Sequence, residues 1–346
     1  MDRNTDPRLA VQSYIGKPDV RFFNIDDAPF KLHGVFREGD MYKRVPKTVA
    51  DTLNPRAKKF STAAAGGRVR FKTNSSYVAI KAHLGDIYRI SMLTLTASAG
   101  FDMYEGGEFL GSFNPPYEIE SGGVYEAVIN LGERRQRELV INMPPYSQVH
   151  SLYVGIDGEA TLAESSGYKN KAPIIFYGSS ITHGACASRP GLHYTAMLSR
   201  ALDRDNINLG FGAGCRGEVQ IAEYIASLGA CALVCAYDHN APNKEKLLLT
   251  HAPFVEKIRE ISEKLPIILV SRPDVERNAE GDERYEIIKD TFDKRRMLGD
   301  ENVYLIDGRR ILLSSDLTHD GIHPNDLGEK VIAEKLLPYL KLAIKE

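Results

Sequence analysis

Between residues 20 and 160 apolar and polar residues alternate with a period of two, in short runs. GRVRFKT (67–73) and YVAIKAHL (77–84) alternate, DMYEGGEFLGSF (102–113) has the form of a hairpin with Gly106-Gly107 at its turn, and YEAVINL (125–131) and RELVINM (137–143) continue the pattern. Alternation of this kind turns every second side chain into a core, and a Gly-Gly pair suits a two-residue turn. No strong amphipathic helical pattern interrupts the region, which is predicted to be an all-β sandwich.

ESSGYKNKAP (164–173) is polar, holds Gly and Pro, and has the character of a linker. Beyond it the period changes. Runs that are apolar throughout, IIFYG, INLG, CALVCAY, IILVS and VYLID, alternate with helical stretches near 191–203, 217–228, 243–264, 283–297 and 326–344. Strands without a polar face, each followed by a helix, imply a parallel sheet covered on both sides. The prediction is an α/β doubly wound, flavodoxin-like five-stranded parallel sheet with strand order 2-1-3-4-5. It is preceded by the sandwich, with domains at 1–165 and 170–346.

Length agrees, since 346 residues exceed one ordinary core. A net charge of −2 and a charged fraction of 26% create no field for nucleic acid or an anionic membrane, so neither is expected as a partner. MDRNTDPRLAVQSY lacks a basic start and an apolar core, and no apolar stretch is long enough to span a bilayer. The chain is therefore expected to be cytoplasmic, with secretion left open should a leader have been removed, and a homo-oligomer is left open. The four cysteines, Cys186, Cys215, Cys231 and Cys235, form no C-x-x-C pair, which speaks against structural zinc.

In a doubly wound sheet ligands bind past the carboxyl ends of the strands, so chemistry is sought in the loops there. GSSITHG (178–184) follows the first strand and places Ser180 where a helix begins, in the dipole field and beside unsatisfied N–H groups. Ser179 and Ser180 also suit plain N-caps. Far away, THDGIHPND (318–326) sets Asp320 three residues before His323, just ahead of the last helix. On a turn this spacing lets the carboxylate hold one imidazole nitrogen while the other serves as a base. Pro324 restricts His323 to extended backbone. A serine hydroxyl is hardly ionised at neutral pH, and an adjacent imidazole supplies the base it needs.

Gly178-Ser179-Ser180-Ile181-Thr182 resembles the first block of the GDSL, or SGNH, hydrolases, and Asp320-Gly321-Ile322-His323-Pro324 resembles their last. The resemblance implies a Ser180-His323-Asp320 triad and no cofactor. It also implies an oxyanion hole built from the N–H of Ser180, a backbone N–H after strand two, and an asparagine after strand three. YDHNAP supplies Asn240 for the asparagine. Counting from Asn208, the family's glycine falls on Ala213, next to Gly212, and the donor lies in the Gly212-Ala213 turn. Ser179 stands where the family name has Asp.

GFDMYEGGEF, with Gly100, Asp102 and Tyr104, resembles the G-x-D-L-Y signature of an N-terminal β-domain found before some SGNH hydrolases, with Met103 in place of leucine; CASRPGLHY (186–194) fits the same subgroup. That likeness implies a jelly-roll-like sandwich. It also implies a serine esterase acting on short-chain acyl esters, acetyl above all, of a small molecule or an oligosaccharide. A lipid or phospholipid acyl hydrolase and a glycan-binding protein with an inactive hydrolase half are the alternatives.

His183, Arg189, Arg216 and His239 lie in the same loops and are candidate substrate contacts, although each has an ordinary structural alternative. Cys186 and Cys215 follow neighbouring strands, and spacing leaves their pairing open. Cys231 and Cys235 read as small core residues. His319 and His323 with Asp320 resemble a metal site only superficially, because a third ligand would have to come from elsewhere; no metal is expected. There is no tryptophan to stack on a sugar, and the 17 tyrosines, among them those in YSQVHSLYV and FNPPYEI, are the substitutes.

Overall fold

The computed structural model describes residues 15–273, 275 and 278–345, which form two compact units. One holds the described residues up to Arg44, then Thr62–Lys169 and Ser188–Gly191. The other holds Val45–Ser61, Asn170–Ala187 and the chain from Leu192 onwards. Each unit therefore contains a short segment drawn from the other half of the sequence.

The first unit carries β1 (Arg21–Asn24), β2 (Lys31–His33), β3 (Phe36–Glu38), β4 (Met41–Lys43), β5 (Arg68–Thr73) and β6 (Tyr77–Ile87). After these come β7 (Phe101–Glu105), β8 (Glu108–Phe113), β9 (Val124–Asn130), β10 (Arg137–Asn142), β11 (Ser147–Ile156) and β12 (Leu162–Ala163). One sheet has the order β1-β11-β6-β9 and the other β12-β5-β10-β7-β8, with β2 also on β5. Every pairing is antiparallel. Alternation explains the core: on β10 Leu139 and Ile141 are buried while Glu138 and Val140 are only partly so. They join Phe71, Ile80, Phe101, Leu152 and Val154 in one apolar cluster.

Among the described residues three short helices break the strand pattern. These are α1 (Lys47–Ala50) and α2 (Pro55–Phe60), which belong to the second unit, and α3 (Leu95–Ala99), which belongs to the first. With four to six residues each, they are too short to show a helical period, so periodicity missed them.

In the second unit β13 (Asn170–Gly178) leads to α4 (Ser180–His183) and α5 (Tyr194–Ala201), and β14 (Arg204–Gly210) to α6 (Val219–Ser227). Then follow β15 (Ala232–Ala236), α7 (Lys244–Ile261), β16 (Ile267–Val270), α8 (Ala279–Met297), β17 (Val303–Ile306) and α9 (Asp326–Ile344). The strands are parallel in the order β14-β13-β15-β16-β17, the doubly wound, flavodoxin-like arrangement. Ile174 and Phe176 of β13 pack with Leu198 of α5 and Leu336 and Leu340 of α9. Tyr177, pointing the opposite way, stacks on Phe254 of α7 with ring centroids 5.0 Å apart. Both faces are covered because each such side chain gains roughly 1.5–3 kcal/mol on leaving water. The edge where β13, β14 and β15 end is therefore the place free to carry polar loops.

Candidate active site

The nucleophile candidate is placed by a tight strand-to-helix turn. Ser179 is the N-cap of α4, its side chain accepting the N–H of Ile181 at 3.2 Å. Ser180 is thus the first helical residue, and its own N–H makes no hydrogen bond among the described residues. The turn is cramped: a Cβ on Gly178 would stand 2.2 Å from Oγ1 of Thr182 and 2.7 Å from the carbonyl of Ala236. Only glycine lets β13 end so close to α4 and β15.

From the other end of the unit comes the loop before α9. Asn325 caps that helix, accepting from Leu327 and Gly328 at 3.1 Å. The His319 N–H donates to the His323 carbonyl at 2.8 Å. Within this loop Oδ1 of Asp320 accepts the N–H groups of Ile322 at 3.0 Å and His323 at 2.7 Å, and Oδ2 lies 2.8 Å from Nδ1 of His323. The Ser180 Oγ is 2.7 Å from Nε2 of His323. With the proton on Nδ1 held by Asp320, the lone pair of Nε2 faces the serine hydroxyl, which donates to it. Partial burial works against a charge on Asp320, but the bonds from the His323 backbone and ring outweigh it and hold the carboxyl below the usual range.

Asn240 closes the 3-10 turn Asp238–Asn240 after β15. Its Oδ1 accepts the Cys215 N–H at 3.3 Å. That bond fixes the amide's orientation and leaves Nδ2 with no partner among the described residues. Across the loop after β14, Ala213 has a left-handed φ of 58°, a conformation natural to glycine. Its N–H is also unpaired among the described residues. Gly212 differs, because its N–H donates to Nδ1 of His183 at 3.3 Å. Of the two residues expected to share the donor role, Ala213 is the one with a hydrogen left to give.

The four candidate substrate contacts fare differently. His183 is completely buried, its ring edge-on to Phe60 at 5.0 Å; it supports the loop and offers nothing to a ligand, which corrects the expectation. Arg189 is also engaged. It belongs to the first unit, donates to Oδ2 of Asp102 at 2.9 Å and to the Tyr104 hydroxyl, and lies 3.6 Å from the centroid of Phe109.

Asp102 is fully buried and also accepts from Asn142 and from the Gly191 N–H, both at 2.7 Å. The Asp and Tyr of the G-x-D-x-Y stretch thus hold the 189–191 loop, and Arg189 is a structural ion-pair partner. Arg216 is exposed and has no bond or ion pair among the described residues. His239 lines a cavity of about 30 Å³ together with Ser179, Ile181, Asp238 and Arg272.

All four cysteines are free thiols. Burial, aided by the charges of Asp320 and Glu329, pushes the Cys186 thiol up to about 12, so it is no rival nucleophile. Cys215 is buried with Sγ 2.6 Å from the Gly178 carbonyl. Two supporting residues were given no role from the sequence. Asn208, used there only to count to Ala213, is buried and ties β14 to α4 by donating to the Thr182 carbonyl at 2.7 Å. His193, the last residue but one of the CASRPGLHY stretch, is buried ahead of α5 with Nε2 2.8 Å from the Ile181 carbonyl.

Residues 171–341 match the GDSL-like Lipase/Acylhydrolase family, and residues 20–162 match the N-terminus of Esterase_SGNH_hydro-type. The chain belongs to the GDSL-like lipase/acylhydrolase family. As a member it is a carboxylic ester hydrolase. No curated protein matches it. Among solved structures it resembles a GDSL-like lipase from Bacteroides ovatus, with 29% identity, a TM-score of 0.84 and coverage of 94% of this chain and 98% of that one.

The salicylyl-acyltransferase SsfX3 from a tetracycline biosynthetic pathway has the same fold at 21% identity and a TM-score of 0.77, covering 92% and 95%. So has an acetyl xylan esterase, Est2A, from the rumen bacterium Butyrivibrio proteoclasticus, at 14% identity and a TM-score of 0.63, covering 94% and 100%. Both units of the GDSL-like chain thus have counterparts in single proteins of similar length.

Proposed function

We propose that the chain hydrolyses short-chain acyl esters, acetyl esters of carbohydrates first among them, with Ser180 as nucleophile. The observation that carries this reading is the 2.7 Å approach of Ser180 Oγ to a histidine ring whose other nitrogen is bonded to a carboxylate at 2.8 Å. Oγ attacks the ester carbonyl while its proton passes to Nε2 of His323. The oxyanion so formed is held by the N–H groups of Ser180 and Ala213 and by Nδ2 of Asn240. Collapse expels the alcohol, which takes the proton from His323 and leaves Ser180 acylated. Water then repeats the sequence, giving its proton to His323 and releasing the acid. Asp320 keeps the imidazole in the required tautomer throughout.

A small acyl group on a sugar is supported by the proteins of this fold that are named carbohydrate or acetyl xylan esterases. In the test, Ser180→Ala should abolish hydrolysis of p-nitrophenyl acetate with the thermal midpoint unchanged; turnover that persists would remove Ser180 from the role. Across p-nitrophenyl esters from C2 to C12 the rate should be highest at C2, and a maximum at long chains would favour the lipid reading. Acetate released from acetylated oligosaccharides would identify the acceptor. Folded protein that binds sugar without fluorophosphonate labelling of Ser180 would mean an inactive glycan-binding module.

A further inference from the structure

Val45–Ser61 comes from the first half of the chain yet belongs to the second unit. Asn54 caps α2, its Oδ1 accepting from Arg56 at 3.1 Å and Ala57 at 3.2 Å, with Pro55 in the first helical position. The same side chain reaches away from the helix: Nδ2 donates to the Gly214 carbonyl at 2.7 Å and to Oε1 of Glu218. Ala57 presses on the same spot, since a Cβ on Gly214 would stand 2.6 Å from the Ala57 nitrogen.

At the other end of α2, Phe60 is 3% exposed and meets the buried His183 ring at 5.0 Å. That ring takes the Gly212 N–H. Both neighbours of Ala213 are therefore gripped by α2, Gly214 directly and Gly212 through His183. Ala213 itself has an unfavourable left-handed backbone and no hydrogen bond of its own among the described residues. The turn that carries it is closed by the Gly214 N–H donating to the Phe211 carbonyl at 2.7 Å, so the aim of the Ala213 N–H follows wherever Gly212 and Gly214 are held.

We propose that α2 is a positioning element for ester hydrolysis, with Asn54 and Phe60 holding the 212–214 turn so that the Ala213 N–H meets the oxyanion. The inference rests on the reading of Ala213 as a donor. A donor fixed beforehand costs nothing to orient when charge develops, whereas a loose one must be reorganised during the reaction. Loosening α2 should therefore lower kcat and leave ground-state binding largely alone.

Asn54→Asp and Phe60→Leu in the full chain test it. Asn54→Asp keeps a cap acceptor but turns an oxygen towards the Gly214 carbonyl and Glu218, so it separates the clamp from the cap. Turnover of p-nitrophenyl acetate is measured per fluorophosphonate-titrated site, beside the inhibition constant of a short alkyl boronic acid, whose tetrahedral adduct places an oxygen in the hole. The expected result is a kcat at least tenfold lower, KM within threefold, and boronate affinity weakened in parallel. A kcat within twofold of the parent, or a rise in KM at constant kcat, overturns the proposal. Should Phe60→Leu fail to fold, Asn54→Asp decides alone. Ser180→Ala is run alongside: if it is inert the outcome bears on α2, and if it keeps turnover the reading of the site fails and the proposal with it.

Discussion

Replacing Asp320 by asparagine separates the two tasks that its oxygens perform. Oδ1 takes two backbone N–H groups, those of Ile322 and His323, while Oδ2 faces the imidazole. The amide oxygen of asparagine can keep the first pair, so the turn survives. Its NH₂ then faces Nδ1, and since two donors cannot share a bond, the imidazole must move its proton to Nε2. That nitrogen can no longer accept from Ser180. At a fully buried site such a tautomer change lowers turnover by about 10⁴-fold.

Here the Asp320 side chain is 33% exposed and that of His323 19%, so water can take over part of the task. The expected loss in kcat/KM is about 10³-fold, or roughly 4 kcal/mol of transition-state stabilisation. The assay is p-nitrophenyl acetate hydrolysis at neutral pH, with thermal unfolding as the control, and the midpoint should hardly move. Asp320→Ala also removes the acceptor of the two N–H groups, so it should cost about 1 kcal/mol or more of stability as well. Asp320→Asn activity within tenfold of the parent would refute the orienting role, because nothing else in the loop could restore the tautomer.

Two further outcomes follow from groups outside the proposed triad. Arg189→Ala should leave KM for small esters unaltered but cost about 3 kcal/mol of stability, read by chemical denaturation, because it strands the buried Asp102 carboxylate; a change in KM with normal stability would return Arg189 to substrate binding. His251 is buried against Thr291, 2.8 Å away, and burial pulls it down to about 4. The unfolded chain then binds more protons than the folded one between pH 4 and the ordinary histidine range. Stability is therefore lost as pH falls through that window, by about 2 kcal/mol at pH 5. His251→Asn should reduce the drop in stability between pH 7 and pH 5 relative to the parent, and an equal drop in both proteins would refute the assignment.

What could be read from residue order was what neighbours along the chain decide. Four strands of the parallel sheet were legible because Ile174 to Tyr177 and their counterparts are apolar on both faces, whereas β14, which carries Asp205, Asn206 and Asn208, showed only in its INLG end; the hairpin around Gly106-Gly107 was legible because its alternation is local. The Asp320-His323 pairing was legible too, since a three-residue turn sets its geometry within one loop. Harder to read was which polar side chains past the strand ends are already spent.

His183 and Arg189 have the composition and position of site residues, but their partners, Phe60 and Asp102, come from remote parts of the sequence and tie them down, His183 inside the core and Arg189 through its Nη1. The Asn54-Pro55 pair did carry a helix-start signal, although no local rule says which unit α2 joins. A strand end thus marks where chemistry can stand, and long-range partners decide what remains for it. Ala213 and Asn240 keep an N–H unspent, and Gly212 does not, because a helix contributed by the first half of the chain has used the histidine beside it to hold that N–H fast.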